Sequence, residues 1–176
     1  TAKIYLKNGK PYEVGDTIKN PDLANTMEKI IEKGEEAFYS GPIAESIVKS
    51  AQEAGGLLSM EDMKNYSLRI KDPVHGNYRG YEIITSTPPS SGGAHIIQIL
   101  NILENYDMKS IPVGSTRYYH LLSEAMKMAF ADRAKFMGDT EFVKIPLQGV
   151  INKDYAKTLQ AKIDETKSQD YSEGDP

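Results

Sequence analysis

Between Ile96 and Leu103 this chain of 176 residues sets Ile96, Ile97, Ile99, Leu100, Ile102 and Leu103 around a helix so densely that almost no polar face remains. Such a helix belongs in the middle of something larger, and is expected to pack against parts beyond this stretch. It opens on Pro88-Pro89-Ser90-Ser91-Gly92-Gly93, where glycine lets the backbone turn sharply or approach a neighbour closely. A hydrophobic share of 39% supplies enough material for the core that the helix requires.

The flanking segments read as α+β, predominantly helical, with a short antiparallel strand pair. Residues 1–19, with Asn8-Gly9-Lys10-Pro11, read as a turn or short hairpin leading into the first helix. Asn20 caps that helix, Pro21 takes its first position, Asp22 sits where the dipole favours an acid, and Leu23, Met27, Ile30 and Ile31 share one face as far as Gly34. A second helix follows Gly41-Pro42, with Ile43, Ile47, Val48 and Ala51 on its stripe and a stop at Gly55-Gly56. Ser59 and Asp62 have capping-box spacing for a short helix to about Tyr66.

Strands are expected near 67–71, where Leu68, Arg69 and Ile70 alternate, and near 81–86. Asp72-Pro73 and Gly76-Asn77 lie in a long connection between them. A longer helix spans about Ser115 to Met137 and stops at Gly138. A last one starts at Asn152 with Tyr155, Ala156, Leu159 and Ile163 on one stripe. Residues 20–164 thus read as one helical region, and 165–176 as a polar linker or flexible tail.

Chemistry is sparse. Acidic residues number 25 against 21 basic ones, the net charge is −4, and the cations are scattered, which argues against nucleic acid as a partner. The absence of cysteine excludes disulfides, zinc ribbons and a thiol nucleophile. No apolar run approaches the roughly 20 residues of a membrane-spanning helix, and the first residues lack the grammar of a signal peptide. His75, His95 and His120 have no second ligand at helical spacing, so no metal is expected; His95 and His120 read as polar positions on helix surfaces.

Ser90 and Ser91 lack the Gly-x-Ser-x-Gly elbow of a hydrolase nucleophile. A serine hydroxyl here is expected to cap the helix beginning near Gly92. The alternative is an anion site for a carboxylate or phosphate on the helix N–H groups, and Ser90, Ser91, Gly92 and Gly93 are the candidates for it. Asp132-Arg133 reads as an internal ion pair, with contact to a substrate carboxylate as the other reading. Glu124 and Lys127 form a solvated or bridging pair. Tyr118, Tyr119, Phe130 and Phe136 fall among Leu121, Leu122, Met126 and Met128 as core. An amino-terminal threonine can use its own amine as a base, but Ala2-Lys3-Ile4-Tyr5 suggests no packed strand to carry it, so Thr1 reads as a chain boundary.

Residue chemistry alone stops at a soluble, mainly helical domain with a glycine-rich helix start. The order of motifs goes further. Gly15-Asp16-Thr17, Asn20-Pro21-Asp22-Leu23-Ala24, Phe38-Tyr39-Ser40-Gly41, Gly55-Gly56-Leu57, Asp62 to Tyr66, Tyr78-Arg79-Gly80-Tyr81, Pro88 to Gly93, Asn101-Ile102-Leu103-Glu104, Ala131-Asp132-Arg133 and Gly138-Asp139 stand in this order. From about Gly15 to Ile163 the chain resembles the large subunit of a γ-glutamyltransferase, in its C-terminal part, ending before the nucleophile.

That resemblance implies a fragment of an amino-terminal-nucleophile hydrolase with an αββα sandwich, made as one precursor that cuts itself to expose a threonine. The threonine would attack a γ-glutamyl amide such as glutathione and pass the acyl group to water or an amine, with no cofactor. The Thr-Thr-His stretch that opens with the nucleophile does not occur here, so no catalytic residue is assignable and the chain alone is expected to be inactive. The implied partner is the small catalytic subunit, with a dimer of the fragment as one way to cover exposed apolar surface. The implied location is secreted, periplasmic or cell-surface. A cephalosporin or glutaryl acylase, a poly-γ-glutamate depolymerase and a non-catalytic helical binding module are the competing expectations.

Overall fold

A computed structural model describes residues 2–176; the reading of Thr1 lies outside the described residues. The chain divides into two compact units, one running to Arg69 and one from Ile70 to Pro176, so the expected single region over 20–164 contains a boundary between units.

The first unit begins with a one-turn helix α1 (Ala2–Tyr5) and two minimal strands, β1 (Leu6–Lys7) and β2 (Lys10–Pro11), paired antiparallel. Then come α2 (Pro21–Lys33), α3 (Glu35–Tyr39), α4 (Pro42–Glu53) and α5 (Met60–Asn65). The start signals act as their chemistry dictates. Asn20 accepts from the Leu23 amide with Pro21 in the first turn, and Ser59 and Asp62 complete a reciprocal capping box. Ala44, Val48 and Met63 form a small core against Phe38, Tyr39, Ile47, Leu58 and Met60. The apolar face of α2 is not covered within this unit: Leu23, Met27 and Ile31 remain exposed.

In the second unit β3 (Val74–Tyr78) and β4 (Tyr81–Thr85) pair antiparallel from Val74↔Thr85 to Tyr78↔Tyr81. This corrects the expected strand at 67–71 and its long connection. Arg79 and Gly80 both take positive φ, 51° and 87°, the geometry of a two-residue hairpin turn matched to strand twist. The Arg79 amide donates to Glu104 Oε1 at 2.7 Å and its guanidinium to the Tyr106 carbonyl at 2.8 Å, so the turn is fastened to residues some 25 positions later in the chain.

Helices α6 (Gly92–Leu103), α7 (Thr116–Phe136), α8 (Leu147–Val150) and α9 (Lys153–Gln160) complete the unit. Ser115 caps α7 and Asn152 caps α9 through side-chain oxygens. The core runs through Ile102, Leu103, Tyr106, Leu121, Ala125, Met128, Tyr155, Ala156 and Leu159. α6 is central, though not by its apolar residues alone. His95, Gln98 and Asn101 are buried on its inner side while Ile96 stays 51% exposed. Tyr119, Phe130 and Met126, expected as core, are likewise exposed.

Truncating Ile102 or Leu121, both fully buried, should destabilise the second unit by about 2–5 kcal/mol, whereas Leu68→Ala at an exposed site should change little. Denaturant midpoints of the three variants check this.

Candidate functional site

Chemistry-bearing side chains of the second unit gather at the turn before α6 and along one face of α7. At the turn, Pro88 and Pro89 are joined by a cis bond. Lys71 secures it, donating to the Pro88 carbonyl at 3.2 Å and to Thr140 Oγ1 at 2.6 Å. Ser86 Oγ donates to Ser90 Oγ at 3.2 Å. Ser91 occupies the N-cap position, yet its hydroxyl makes no capping bond; it accepts from Arg133 Nε at 2.9 Å. The expected hydroxyl cap is therefore absent, because Ser91 is already helical in backbone (φ −78°, ψ −19°) and not extended as a capping residue is.

The two glycines differ. A Cβ on Gly93 would lie 2.2 Å from the Ser86 carbonyl oxygen and 2.7 Å from Thr85 Oγ1, while one on Gly92 would meet nothing closer than 3.9 Å. Gly93 is what lets α6 close onto the end of β4. Beside the turn a shallow cleft is lined by Pro89, Ser91, Arg133, Ala134, Met137 and Gly138, with the Arg133 guanidinium 5.7 Å from the centre of the Phe130 ring. Ser91 is not arranged as a nucleophile: its hydroxyl faces a cation, and His95 directs Nδ1 to the Ser91 carbonyl instead of the hydroxyl. That carbonyl can only accept, so Nδ1 carries the proton. His95 Nε2 is left buried with no partner among the described residues.

His95 is thus an interior residue and not a surface one. His120 is half-buried and bonds the Asp164 carbonyl at 2.9 Å through Nε2, and His75 faces Glu82 at 3.2 Å on the exposed hairpin. Among the described residues no three His, Asp or Glu side chains converge as a metal-ligand set.

The two acids of α7 depart furthest from expectation. Asp132 does not pair with Arg133. Its side chain is buried, with Oδ2 accepting from Gln98 Nε2 at 2.5 Å and from the Tyr155 hydroxyl at 2.7 Å, and Oδ1 from the Gly174 amide at 2.8 Å. Burial and the Asp132 carboxylate push the Tyr155 phenol up, so it stays a donor. Glu124 is equally buried. It accepts from Lys127 at 2.8 Å, Ser168 Oγ at 3.1 Å, the Gln169 amide at 3.2 Å and the Tyr171 hydroxyl at 2.7 Å. Burial raises its pKa, but the bonds from Lys127, Tyr171, Gln169 and Ser168 outweigh that and hold it at about 2 against an ordinary 4.5. The pair with Lys127 forms as a bridging one, with the acid buried and the Lys127 side chain 38% exposed.

Residues 165–176, expected as a flexible tail, are consequently tethered to α7 by hydrogen bonds while most of them stay exposed. Beyond the bonds to Glu124 and Asp132, Lys127 Nζ donates to the Gln169 carbonyl at 2.9 Å, and Arg117 pairs with Glu165 at 2.8 Å. Part of their polarity serves the buried acids, through Ser168, Gln169 and Tyr171 on Glu124, while most of the segment remains exposed. The spacing of Glu124 and Asp132, two turns apart in a largely apolar helix, is the sign of this that the sequence carries.

The fold has solved counterparts. It matches Helicobacter pylori gamma-glutamyltranspeptidase with a TM-score of 0.83 at 41% identity, over 95% of this chain and 48% of that one. The structure is therefore part of an amino-terminal-nucleophile hydrolase fold. The gamma-glutamyltranspeptidase family model matches residues 1–175, and the chain belongs to that family. The glutathione hydrolase proenzyme of Escherichia coli K12 is 46% identical over 170 residues, covering 97% of this chain and 29% of that protein. The acylase ACY 1 proenzyme of Pseudomonas sp. SE83 is 41% identical over 173 residues, covering 98% and 31%. The chain thus spans under a third of the length of these curated relatives.

Gly93→Ala should force β4 and α6 apart and cost about 1–3 kcal/mol, against a smaller change for Gly92→Ala, read from thermal unfolding. Because the folded pKa of Glu124 lies below its ordinary value, its stabilising contribution is complete above about 4.5 and is lost as pH falls toward about 2. Glu124→Gln should flatten the acid limb of the stability curve, measured as unfolding midpoint against pH.

Proposed function

We propose that this chain is the stretch of a γ-glutamyltransferase precursor lying ahead of its nucleophilic threonine. The parent protein hydrolyses or transfers γ-glutamyl groups from glutathione-like amides through a threonyl acyl-enzyme. The observation that carries this reading is the family match over residues 1–175, supported by relatives named as glutathione hydrolase proenzymes at 46% and 42% identity. The word proenzyme in those names supports a second subunit cut from the same precursor as the partner. The turn at Ser90, Ser91, Gly92 and Gly93 shapes the start of α6 and contributes no reacting group. The tail at 165–176 leads toward the processing site, and the parent works outside the cytoplasm as a secreted, periplasmic or cell-surface protein.

A second reading has one observation in its favour. The acylase ACY 1 proenzyme is almost as similar as the glutathione hydrolases, at 41% identity, so an acylase acting on another side-chain amide fits the same stretch. Residues that choose between the two substrates lie in the parent outside this stretch.

Incubated with a chromogenic γ-glutamyl anilide, the chain alone should release no product above a heat-killed control, while the full-length parent should release it steadily. Turnover by the chain alone, or a parent that ignores the γ-glutamyl anilide and cleaves a cephalosporin side chain, contradicts the reading.

A further inference from the structure

The end of the second unit lies along α7 as a strap, and its contacts advance along both segments together. Glu165 meets Arg117, Ser168 and Gln169 meet Glu124 and Lys127, Tyr171 meets Glu124, Gly174 meets Asp132, and Glu173 meets Lys135 at 3.5 Å. The two buried acids stand eight residues apart, about 12 Å along one helix face. A single anchor would fix a place; two fix direction and register as well.

Sterics tighten the register further. A Cβ on Gly174 would lie 2.0 Å from the Tyr155 hydroxyl oxygen, and one on Gly149 would lie 2.4 Å from the backbone carbon of Pro176. The strap therefore threads past Tyr155 at its one glycine in this stretch and comes to rest against α8. Apolar contacts would hold a tail here at less desolvation cost than two buried carboxylates. What the carboxylates add is specificity, since their bonds to Ser168, Gln169, Tyr171 and Gly174 exist in one register only.

We propose that Glu124 and Asp132 form a two-point latch that fixes how the chain leaves Pro176, and that this register presents the next segment of the precursor for cutting. The proposal rests on the precursor reading above. Both acids are positioning residues that act through the strap and touch no reacting atom.

The test uses the full-length precursor carrying Glu124→Gln, Asp132→Asn, Tyr171→Phe or Gly174→Ala. Three quantities are read: amide exchange over 165–176, the rate at which precursor disappears on a denaturing gel, and kcat/KM per processed molecule on the γ-glutamyl anilide. Exchange of the strap should rise, and processing should slow about tenfold or more, with kcat/KM of the processed enzyme unchanged. A loss of general structure would lower processing and turnover together. If the α7 variants fail to fold, the two strap variants decide, because their altered side chains lie outside the helix.

Wild-type processing rates despite a freely exchanging strap, or unchanged strap protection in every folded variant, overturn the latch. A wild-type precursor that is never cut overturns the reading of the parent and the maturation half of this proposal, while the exchange data still decide whether the strap is latched.

Discussion

The carboxylate of Asp132 is where the second unit is tied together. Gln98 reaches it from α6, Tyr155 from α9, and the Gly174 amide from the terminal segment, all within 2.8 Å. A buried acid without such partners would cost several kcal/mol, so the helices must bring donors to it in one arrangement. The apolar core of Ile102, Leu121, Met128 and Leu159 tolerates small shifts; a carboxylate with three directed bonds does not. The polar ladder on α6 reflects the same demand. Gln98 serves Asp132, and Asn101 Nδ2 donates to the Ile151 carbonyl at 2.8 Å, anchoring the turn between α8 and α9.

Glu124 repeats the device two turns earlier on the same helix. Its partners come almost wholly from the terminal segment, plus Lys127 on its own helix. α7 therefore acts as a spine: its apolar residues meet α6 and α9, and its acids hold a strap with little regular structure of its own. At the far side, Glu104 receives the Arg79 amide and pairs with Lys153 at 2.5 Å, closing the hairpin, α6 and α9 on one another.

Local signals are legible in the sequence. Caps at Asn20, Ser59, Ser115 and Asn152 do what short polar side chains at helix starts must do, and Gly93 permits the close approach expected of that turn. The family is legible too, from the order of motifs. What escapes is long-range polar accounting. Asp132-Arg133 looks like a pair in sequence, but adjacent helix positions point about 100° apart, so one turns inward to Gln98 and Tyr155 and the other outward to Ser91. The tail reads as disordered because its bonding partners lie some forty residues upstream. The first strand of the hairpin lies later than its sequence suggests because Arg79-Gly80 closes a tight turn that only its backbone angles reveal. The substrate site is not legible at all in this stretch, since the expected nucleophile is not among its residues.

Sequencing the amino terminus of the small fragment released by the full-length precursor tests the central claim most directly. The account predicts a new amino-terminal threonine, followed by Thr-His, from a cut beyond Pro176. A precursor that stays whole, or a cut within residues 1–176, would contradict it.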